Sequence, residues 1–388
     1  MDKKKNWLPK NVISLGFVSF LNDAASEMIY PLLPVFLTKV IGAGPGFLGV
    51  IEGIAEATAS LLKLFSGYIT DKIKKSKFLI FIGYFLATFG RPIIAFTKLW
   101  WQVGIVRFVD RIGKGIRTSP RDALISHSVS PEIKGKAFGF HRAMDHLGAI
   151  VGPLTALILL KFGIQLKTIF LLAVIPGIIS LIILSIFVEE KVKKIEHNKL
   201  NFNLKVFSFS FKYYLFVVVL FTLSNSSDTF LIYRASETGI STAMIPLLWM
   251  VLHFVKATLS IPGGIWSDKI GRKKVIITGW IVYALIYLGF GFATRFWHIW
   301  ALFALYGIYF ALTEGVEKAF VSDLAPKEWQ GTAFGLFNLA VGIAAFPSSV
   351  IFGVIYQAFG GKIAFIYGSS LAILSSILLT FVREKGTK

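Results

Sequence analysis

Twelve long apolar stretches constrain the fold of this chain more than any other feature. A helix needs about 20 apolar residues to cross the hydrocarbon core of a bilayer, because each residue rises about 1.5 Å and the core is about 30 Å thick. The stretches cover 11–38, 46–70, 77–97, 100–126, 135–160, 166–188, 211–235, 242–266, 274–294, 297–323, 331–358 and 362–382. The sequence therefore predicts an all-α integral membrane protein with twelve transmembrane helices.

The composition supports this prediction. Of the 388 residues, 55% are hydrophobic and 16% are charged, whereas soluble domains are about 45–50% apolar and about 25% charged. This composition argues against a disordered chain, collagen and an ordinary soluble enzyme. The chain contains no cysteine, which excludes disulfides, iron–sulfur clusters and cysteine nucleophiles.

Basic residues give the chain a net charge of +20. Twelve spans place both termini on one side, and Lys and Arg are concentrated in the segments on that side, such as 3–10, 72–77 and 269–274. Because cytoplasmic loops are enriched in Lys and Arg, we predict cytoplasmic termini and a location in the plasma (inner) membrane. The division of these residues among short segments argues against nucleic-acid binding.

The two halves of the chain share sequence strings. Gly67-Tyr-Ile-Thr-Asp71-Lys72 returns as Gly264-Ile-Trp-Ser-Asp268-Lys269, Gly135-Lys-Ala-Phe-Gly139 as Gly331-Thr-Ala-Phe-Gly335, and Asn22 with Tyr30 as Asn225 with Tyr233. We therefore predict two pseudo-symmetric six-helix bundles, at 1–188 and 211–388, joined by a basic cytoplasmic linker at 189–210. Transporters built from such repeats bind substrate at the repeat interface, near the bilayer midplane.

The repeated loop motif is the most specific pattern. In the second half it reads Gly264-x-x-x-Asp268-Lys269-x-Gly271-Arg272. The glycine permits close helix approach, and the aspartate can cap a helix start and pair with a neighbouring cation. This string resembles the signature of the major facilitator superfamily, in the loop between the second and third helices of a six-helix half.

The first-half copy of this motif is incomplete. It keeps Gly67, Asp71 and Lys72 but has Lys74 where the family glycine belongs. The resemblance implies that both copies belong to the cytoplasmic gate.

Span five carries a second pattern, Gly139-x8-Gly148-x3-Gly152-Pro153. It resembles the motif associated with antiporters of the superfamily, although Ala156 stands where a final glycine pair begins. The resemblance covers the whole chain and implies two bundles that rock about a central site, driven by an ion or solute gradient. We expect Gly148, Gly152 and Pro153 to allow tight packing as the states interchange. A P-loop string is absent from the sequence, so an ATP-driven motor is not supported.

Span four carries an unusual row of charges, and its Arg107-x-x-Asp110-x-x-Gly113 string is similar to the family's helix-four motif. Spacings of three and four place the charges in one stripe along a helix. The stripe consists of Arg107, Asp110, Arg111, Lys114, Arg117 and Arg121. Because ionisable residues inside a membrane are costly, they are functional candidates, and the stripe must face the bundle interior, a water-filled cavity or the cytoplasmic mouth.

Two interpretations of this stripe stay open. In the first, its cations bind an anion or control a proton carrier. In the second, the contacts are structural and gating: Arg117 and Arg121 latch to Asp71 and Asp122, and Arg107 pairs with Asp23 or Glu27.

Acidic residues of the first half could offset the stripe. Candidates are Asp23, Glu27, Glu52, Glu56 and Asp145. Asp23 and Glu27 are the best proton carriers, because a conformational change that moves a nearby Arg would load or release a proton. The alternative is a permanent ion pair that joins spans one and four.

The second half offers fewer candidates for the solute or proton pathway. Asn225 and Asp228 interrupt span seven, at the level of Asn22 and Asp23 in the repeat. His253 on span eight and Glu317 on span ten are further lining candidates, and the repeat places Glu317 opposite Arg117.

Together these patterns predict a secondary active transporter that works by alternating access, with proton-coupled export of a small amphiphilic or anionic solute. We expect a monomer in a lipid bilayer, with the solute and protons as partners and no cofactor. One alternative is a divalent metal transporter that uses oxygen and imidazole ligands, and another is a non-transporting membrane sensor. An enzyme is not predicted, because the sequence shows no nucleophile–base–acid set at a motif spacing.

Overall fold

The computed structural model describes residues 7–33, 36–37, 41, 46–190, 204–226, 228–240 and 244–383. Within these ranges the chain forms helices and no strands. Most of the predicted linker, residues 191–203, lies outside the described ranges. The all-α architecture predicted from the sequence is confirmed.

The described residues form fourteen α-helices. Those of the first half are α1 (Lys10–Glu27), α2 (Gly46–Ile73), α3 (Ser76–Gly90), α4 (Trp100–Ser128), α5 (Lys134–Lys161), α6 (Leu166–Leu172) and α7 (Val174–Phe187). Those of the second half are α8 (Phe209–Ser224), α9 (Thr229–Glu237), α10 (Ile245–Ile270), α11 (Arg272–Phe292), α12 (Phe296–Leu324), α13 (Gln330–Phe359) and α14 (Gly361–Leu379). Short 3₁₀ turns at Tyr30–Leu32, Arg91–Phe96, Pro131–Ile133, Leu204–Val206 and Lys327–Trp329 lie between them.

Eight helical segments of the described chain are long and apolar enough to cross a membrane. Helix α4 is not among them, because the charged stripe lowers its hydropathy. Helices α6 and α7 together make one such segment, and α8 is apolar but short. Helix α4 is therefore distinguished from these eight segments by the charges that made it a functional candidate in the sequence.

The chain divides into two compact units. The first contains Met1–Ser130, Met144–Phe202 and Lys327–Asn338, and the second contains Pro131–Ala143, Asn203–Pro326 and Leu339–Lys388. The start of α5 therefore belongs to the second unit, and the start of α13 belongs to the first. The bundle limits at residues 188 and 211, which were inferred from the sequence repeat, stay a prediction.

Each unit has its own buried core. In the first unit, apolar side chains that include Ile29, Ile94 and Phe170 form one cluster, and the ring centroids of Phe36 and Phe170 lie 5.2 Å apart. The core of the second unit is mainly aromatic. Its buried rings include Phe221, Trp280, Tyr283, Tyr287 and Tyr306, and Phe221 stacks on Trp280 at 4.2 Å.

Candidate functional site

Asp110 on α4 is the centre of a buried hydrogen-bonded set in the first unit. The Nε atom of Arg91 donates to Asp110 Oδ1 at 2.7 Å, and the Tyr30 hydroxyl donates to Oδ2 at 2.6 Å. The Nη1 atom of Arg107 lies 3.5 Å from Oδ2, and its guanidinium stands 3.7 Å from the centroid of the Tyr30 ring. These hydrogen bonds and this cation–π contact offset the cost of burying the charges.

Arg91 extends this set to α1. Its Nη1 atom donates to the Asn22 carbonyl oxygen at 3.0 Å and to Asn22 Oδ1 at 3.1 Å. The Asn22 amide in turn donates to Asp23 Oδ1 at 2.9 Å. A continuous series of side-chain contacts therefore links Asp110 to Asp23. We call Asn22, Tyr30, Arg91, Arg107 and Asp110 the Asp110 cluster.

Glu27 lies beside several cations of the same unit. Arg91, Arg107, Arg111 and Lys114 all interact electrostatically with its carboxylate. The surroundings of Glu27 are therefore strongly positive, and Arg111 and Lys114 of the predicted stripe take part.

Asp23 lies near a different part of the stripe. Its electrostatic neighbours are Asp145 on α5 and the guanidinium groups of Arg117 and Arg121. The structure thus brings together two predicted acids and two predicted gate arginines around α1.

Arg117 and Arg121 have further partners. Arg121 lies 3.2 Å from Asp122, as the latch interpretation expects. Arg117 donates to the Gly83 carbonyl oxygen at 3.2 Å, and its guanidinium lies 4.6 Å from the Tyr84 ring centroid. The described residues do not form the expected ion pair between Arg117 and Asp71. The Asp71 carboxylate instead accepts hydrogen bonds from the start of α13.

Asp71 caps the start of α13. Its Oδ1 accepts from the Gly331 N–H at 2.8 Å, and its Oδ2 accepts from the Thr332 N–H and hydroxyl at 2.6 Å each. A carboxylate at this end of a helix satisfies unpaired N–H groups and complements the helix dipole.

Asp268 makes the equivalent contacts in the second unit. It accepts from the Gly135 N–H at 2.9 Å and the Lys136 N–H at 2.8 Å, at the start of α5. It also pairs with Arg272, whose Nε lies 3.2 Å from Asp323. The two sequence repeats therefore form the same helix cap, and the second adds ion pairs.

The motif glycines permit these caps to form. A Cβ atom on Gly67 would collide with the backbone at the start of α13, and one on Gly264 with the backbone at the start of α5. Lys72 and Lys269, at the ends of their helices, are exposed. The role of all these residues in gating stays a prediction.

The glycines of span five bring α5 against α1. A Cβ atom on Gly148 would lie 2.5 Å from the Phe20 carbonyl oxygen, and one on Gly152 would lie 2.5 Å from that of Ala24. Pro153 lies inside α5, directly after this contact. The motif thus packs α5 on the helix that carries Asp23 and Glu27.

Asp228 forms a smaller polar site in the second unit. It lies between α8 and α9, where the helix is interrupted, and accepts from the Tyr306 hydroxyl at 3.0 Å. Lys256 and Glu314 are its electrostatic neighbours, and the Lys256 ammonium stands 3.2 Å from the Phe310 ring centroid.

The remaining second-half candidates make the following contacts. The Asn225 carbonyl oxygen accepts from the Ser348 hydroxyl at 2.8 Å. His253 stands edge-on to Trp249 at 5.8 Å, and Glu317 accepts from the Trp280 indole at 2.9 Å. Among the described residues, no group of three or more His, Asp or Glu side chains could hold a metal ion.

Arg91 was not identified as a site residue from the sequence. Nor did the sequence predict that the Tyr30 hydroxyl donates to Asp110. Arg91 is the one charged residue inside the apolar stretch 77–97 apart from Lys77 at its first position, and that isolation is the signal that could have identified it. The side chains of Glu52 and Glu56 lie outside the described part of the chain.

Comparison with known proteins identifies the family. The family model of the Major Facilitator Superfamily matches residues 15–232 and 206–388. The chain is 41% identical over 384 residues to "Uncharacterized MFS-type transporter MJ1317" of Methanocaldococcus jannaschii, covering 97% of this chain and 95% of that one.

More distant matches agree with this result. The multidrug resistance protein MdtH of Salmonella newport is 21% identical over 333 residues, covering 81% of this chain and 79% of MdtH. The crystal structure of the human organic anion transporter MFSD10 has a TM-score of 0.80 at 15% identity, covering 95% of this chain and 99% of that one. The predicted twelve-helix, two-bundle fold is confirmed, and the chain belongs to the major facilitator superfamily of membrane transporters.

Proposed function

We propose that this transporter carries small anionic or amphiphilic solutes in a proton-coupled, alternating-access cycle. The observation that carries the proposal is the set of four cations that act on the carboxylate of Glu27. Two of them, Arg91 and Arg107, also pair with Asp110, so four cations face two carboxylates. An excess of positive charge in a low-dielectric site attracts anions. The fold is shared with the human organic anion transporter MFSD10, which supports the same solute class.

Protonation of Glu27 supplies the proposed coupling. The ionised carboxylate competes with a solute anion for the same cations, and the protonated form does not. Anion binding is therefore expected to strengthen on protonation and to weaken as Glu27 ionises. Asp23, which is bonded to Asn22 of the Asp110 cluster, is proposed as a second proton carrier.

The direction of transport is a separate part of the proposal. Export by antiport is supported by the α5 glycine motif and by the distant relative named as a multidrug resistance protein. The surroundings of Glu27 support a second candidate, movement of the anion and the proton together. We also propose a plasma-membrane location with cytoplasmic termini and a monomeric carrier.

Ligand-dependent stabilisation of the purified protein tests the solute class. Organic anions, lipophilic cations and divalent metal salts are added in turn while thermal unfolding is followed. A ligand at a hundredfold excess over its Kd stabilises the folded state by about 2.7 kcal/mol. We expect organic anions to raise the melting temperature.

Two arginine variants make the test specific. Arg111→Gln, beside Glu27, should reduce the stabilisation by anions, whereas Arg295→Gln, at the exposed start of α12, should preserve it. Stabilisation by cations or metals and not by anions would overturn the proposed solute class, as would equal losses in the two variants.

A further inference from the structure

An open groove lies between the start of α3 and the end of α7 in the first unit. Its lining residues are Lys75, Lys77, Phe78, Phe81, Ser185 and Glu190. None of these residues belongs to the charged sites described above, so the groove needs a separate explanation.

Beyond this groove, both helices expose apolar side chains. On α3, Phe78, Phe85 and Phe89 are exposed, and Phe85 contacts Phe89 with ring centroids 4.7 Å apart. Helix α7 contributes the exposed side chains Ile175, Ile178, Ile179, Ile182 and Ile186. At about 1.5 Å per residue the stripe from Phe78 to Phe89 is about 16 Å long, which matches one leaflet of a core about 30 Å thick.

The lining of the groove carries a surplus of positive charge. The Lys77 ammonium donates to the Ser185 carbonyl oxygen at 2.8 Å, and the Lys75 side chain is exposed. Glu190 is the acidic residue of the lining, and its carboxylate accepts from the Ser76 and Lys77 N–H groups at 3.1 and 2.7 Å. Burial raises the pKa of the Glu190 carboxyl, and these hydrogen bonds lower it in part.

The counterpart in the second unit has different chemistry. The sequence repeat aligns Lys75 with Arg272, which is paired with Asp268 and Asp323. Lys273 donates to the Thr380 and Val382 carbonyl oxygens at the end of α14. Arg272 and Lys273 at the start of α11 are therefore engaged by protein groups, and Lys274 is exposed. Lys75, at the repeat position of Arg272, stays exposed at the mouth of its groove.

We propose that the groove between α3 and α7 binds one anionic phospholipid, with the phosphate at Lys75 and Lys77 and an acyl chain along the phenylalanine and isoleucine side chains. Charge complementarity favours this occupant over the chain's own segment 191–203, which is itself rich in lysine. The groove is thus a lipid-recognition site on the outer surface of the transporter.

A fluorescent label at the mouth of the groove tests this proposal. Because the chain contains no cysteine, Ser185→Cys supplies a unique thiol and keeps the backbone carbonyl that Lys77 contacts. The labelled full-length protein is reconstituted in phosphatidylcholine, and quenching is compared for brominated phosphatidylglycerol and brominated phosphatidylcholine. We expect phosphatidylglycerol to be preferred.

Charge variants identify the residues that produce the preference. Lys75→Gln should reduce it about fivefold, and Lys75→Gln with Lys77→Gln should abolish most of it, given the usual contribution of one basic residue near an anionic surface. Lys274→Gln, at the repeat position of Lys77, removes the same charge elsewhere and should leave it unchanged. If the double variant does not fold, Lys75→Gln alone still tests the proposal. The Lys75 side chain is exposed, so its substitution should leave the fold intact.

Two results would overturn the proposal. One is equal quenching by the two brominated lipids in the labelled protein with its lysines intact. The other is an equal loss of preference in Lys274→Gln and Lys75→Gln, since that would show a general response to net charge.

Discussion

The carboxylate of Asp110 meets side chains from three other positions in the chain: Tyr30, Arg91 and Arg107. The side chains of Arg91 and Asp110 are only 4% and 2% exposed. Removing one partner of such a pair leaves an uncompensated buried charge. The Asp110 cluster therefore holds α1, the 3₁₀ turn after α3, and α4 together.

We expect Asp110→Asn to destabilise the protein by about 3–5 kcal/mol, the usual cost of breaking a buried pair. The measurement is equilibrium unfolding in detergent. Glu189→Gln is the control, since its carboxylate pairs with Lys10 while both side chains are 60% or more exposed, and exposed pairs contribute about 0–1 kcal/mol. Equal losses in the two variants would refute the assignment.

The sequence predicted the charged residues of α4 better than it predicted their partners. The stripe follows from spacing along one helix, which is a local property. Arg91 and Tyr30 reach Asp110 through the packing of separate helices, and a single sequence does not contain that information. The expected pairing of Arg117 with Asp71 was wrong for the same reason, since Arg117 donates to the Gly83 carbonyl oxygen.

Helix boundaries show how local chemistry interrupts a span. The stretch 166–188 is a single span in the sequence, and the structure divides it at Ala173. Pro176 explains the division, because proline provides no N–H for the carbonyl oxygen four residues earlier, at Leu172, where α6 ends. The polar residues Asn225 and Asp228 did predict the interruption between α8 and α9.

Helix packing gives the second prediction. We expect Gly148→Ala to destabilise the protein by about 1–3 kcal/mol, since the added methyl group must displace α1 backbone. Gly90→Ala is the control, because its Cβ would meet only Val109, at an ordinary 3.8 Å. Thermal unfolding of the two variants compares them, and a Gly148→Ala protein as stable as Gly90→Ala would contradict the close packing of α1 and α5.

The start of α5 belongs to the second unit and the start of α13 to the first, and each start is capped by a motif aspartate of its own unit. Asp71 holds the start of α13 in the first unit, and Asp268 holds the start of α5 in the second. The sequence repeat predicted the two aspartates and their capping chemistry. It did not predict which helix each one caps, since that depends on the three-dimensional arrangement of distant segments.

Hydrogen exchange tests these caps. Loss of a capping side chain by substitution with alanine costs about 0.5–2 kcal/mol, so Asp71→Ala should speed amide exchange at Gly331 and Thr332 by about tenfold. Asp268→Ala should do the same at Gly135 and Lys136. Each variant is the control for the other, and faster exchange at both helix starts in either variant would contradict two separate caps.

Proton flux in proteoliposomes tests the central claim most directly. A trapped pH dye reports flux under an imposed pH gradient when an organic anion is added to the unmodified transporter and to Asp23→Asn and Glu27→Gln variants shown to be folded. We expect the anion to evoke proton flux that is lost in Glu27→Gln and reduced in Asp23→Asn, and the sign of the flux distinguishes antiport from movement together. Undiminished flux in Glu27→Gln, or flux evoked by lipophilic cations and not by anions, would contradict proton-coupled anion transport at this site.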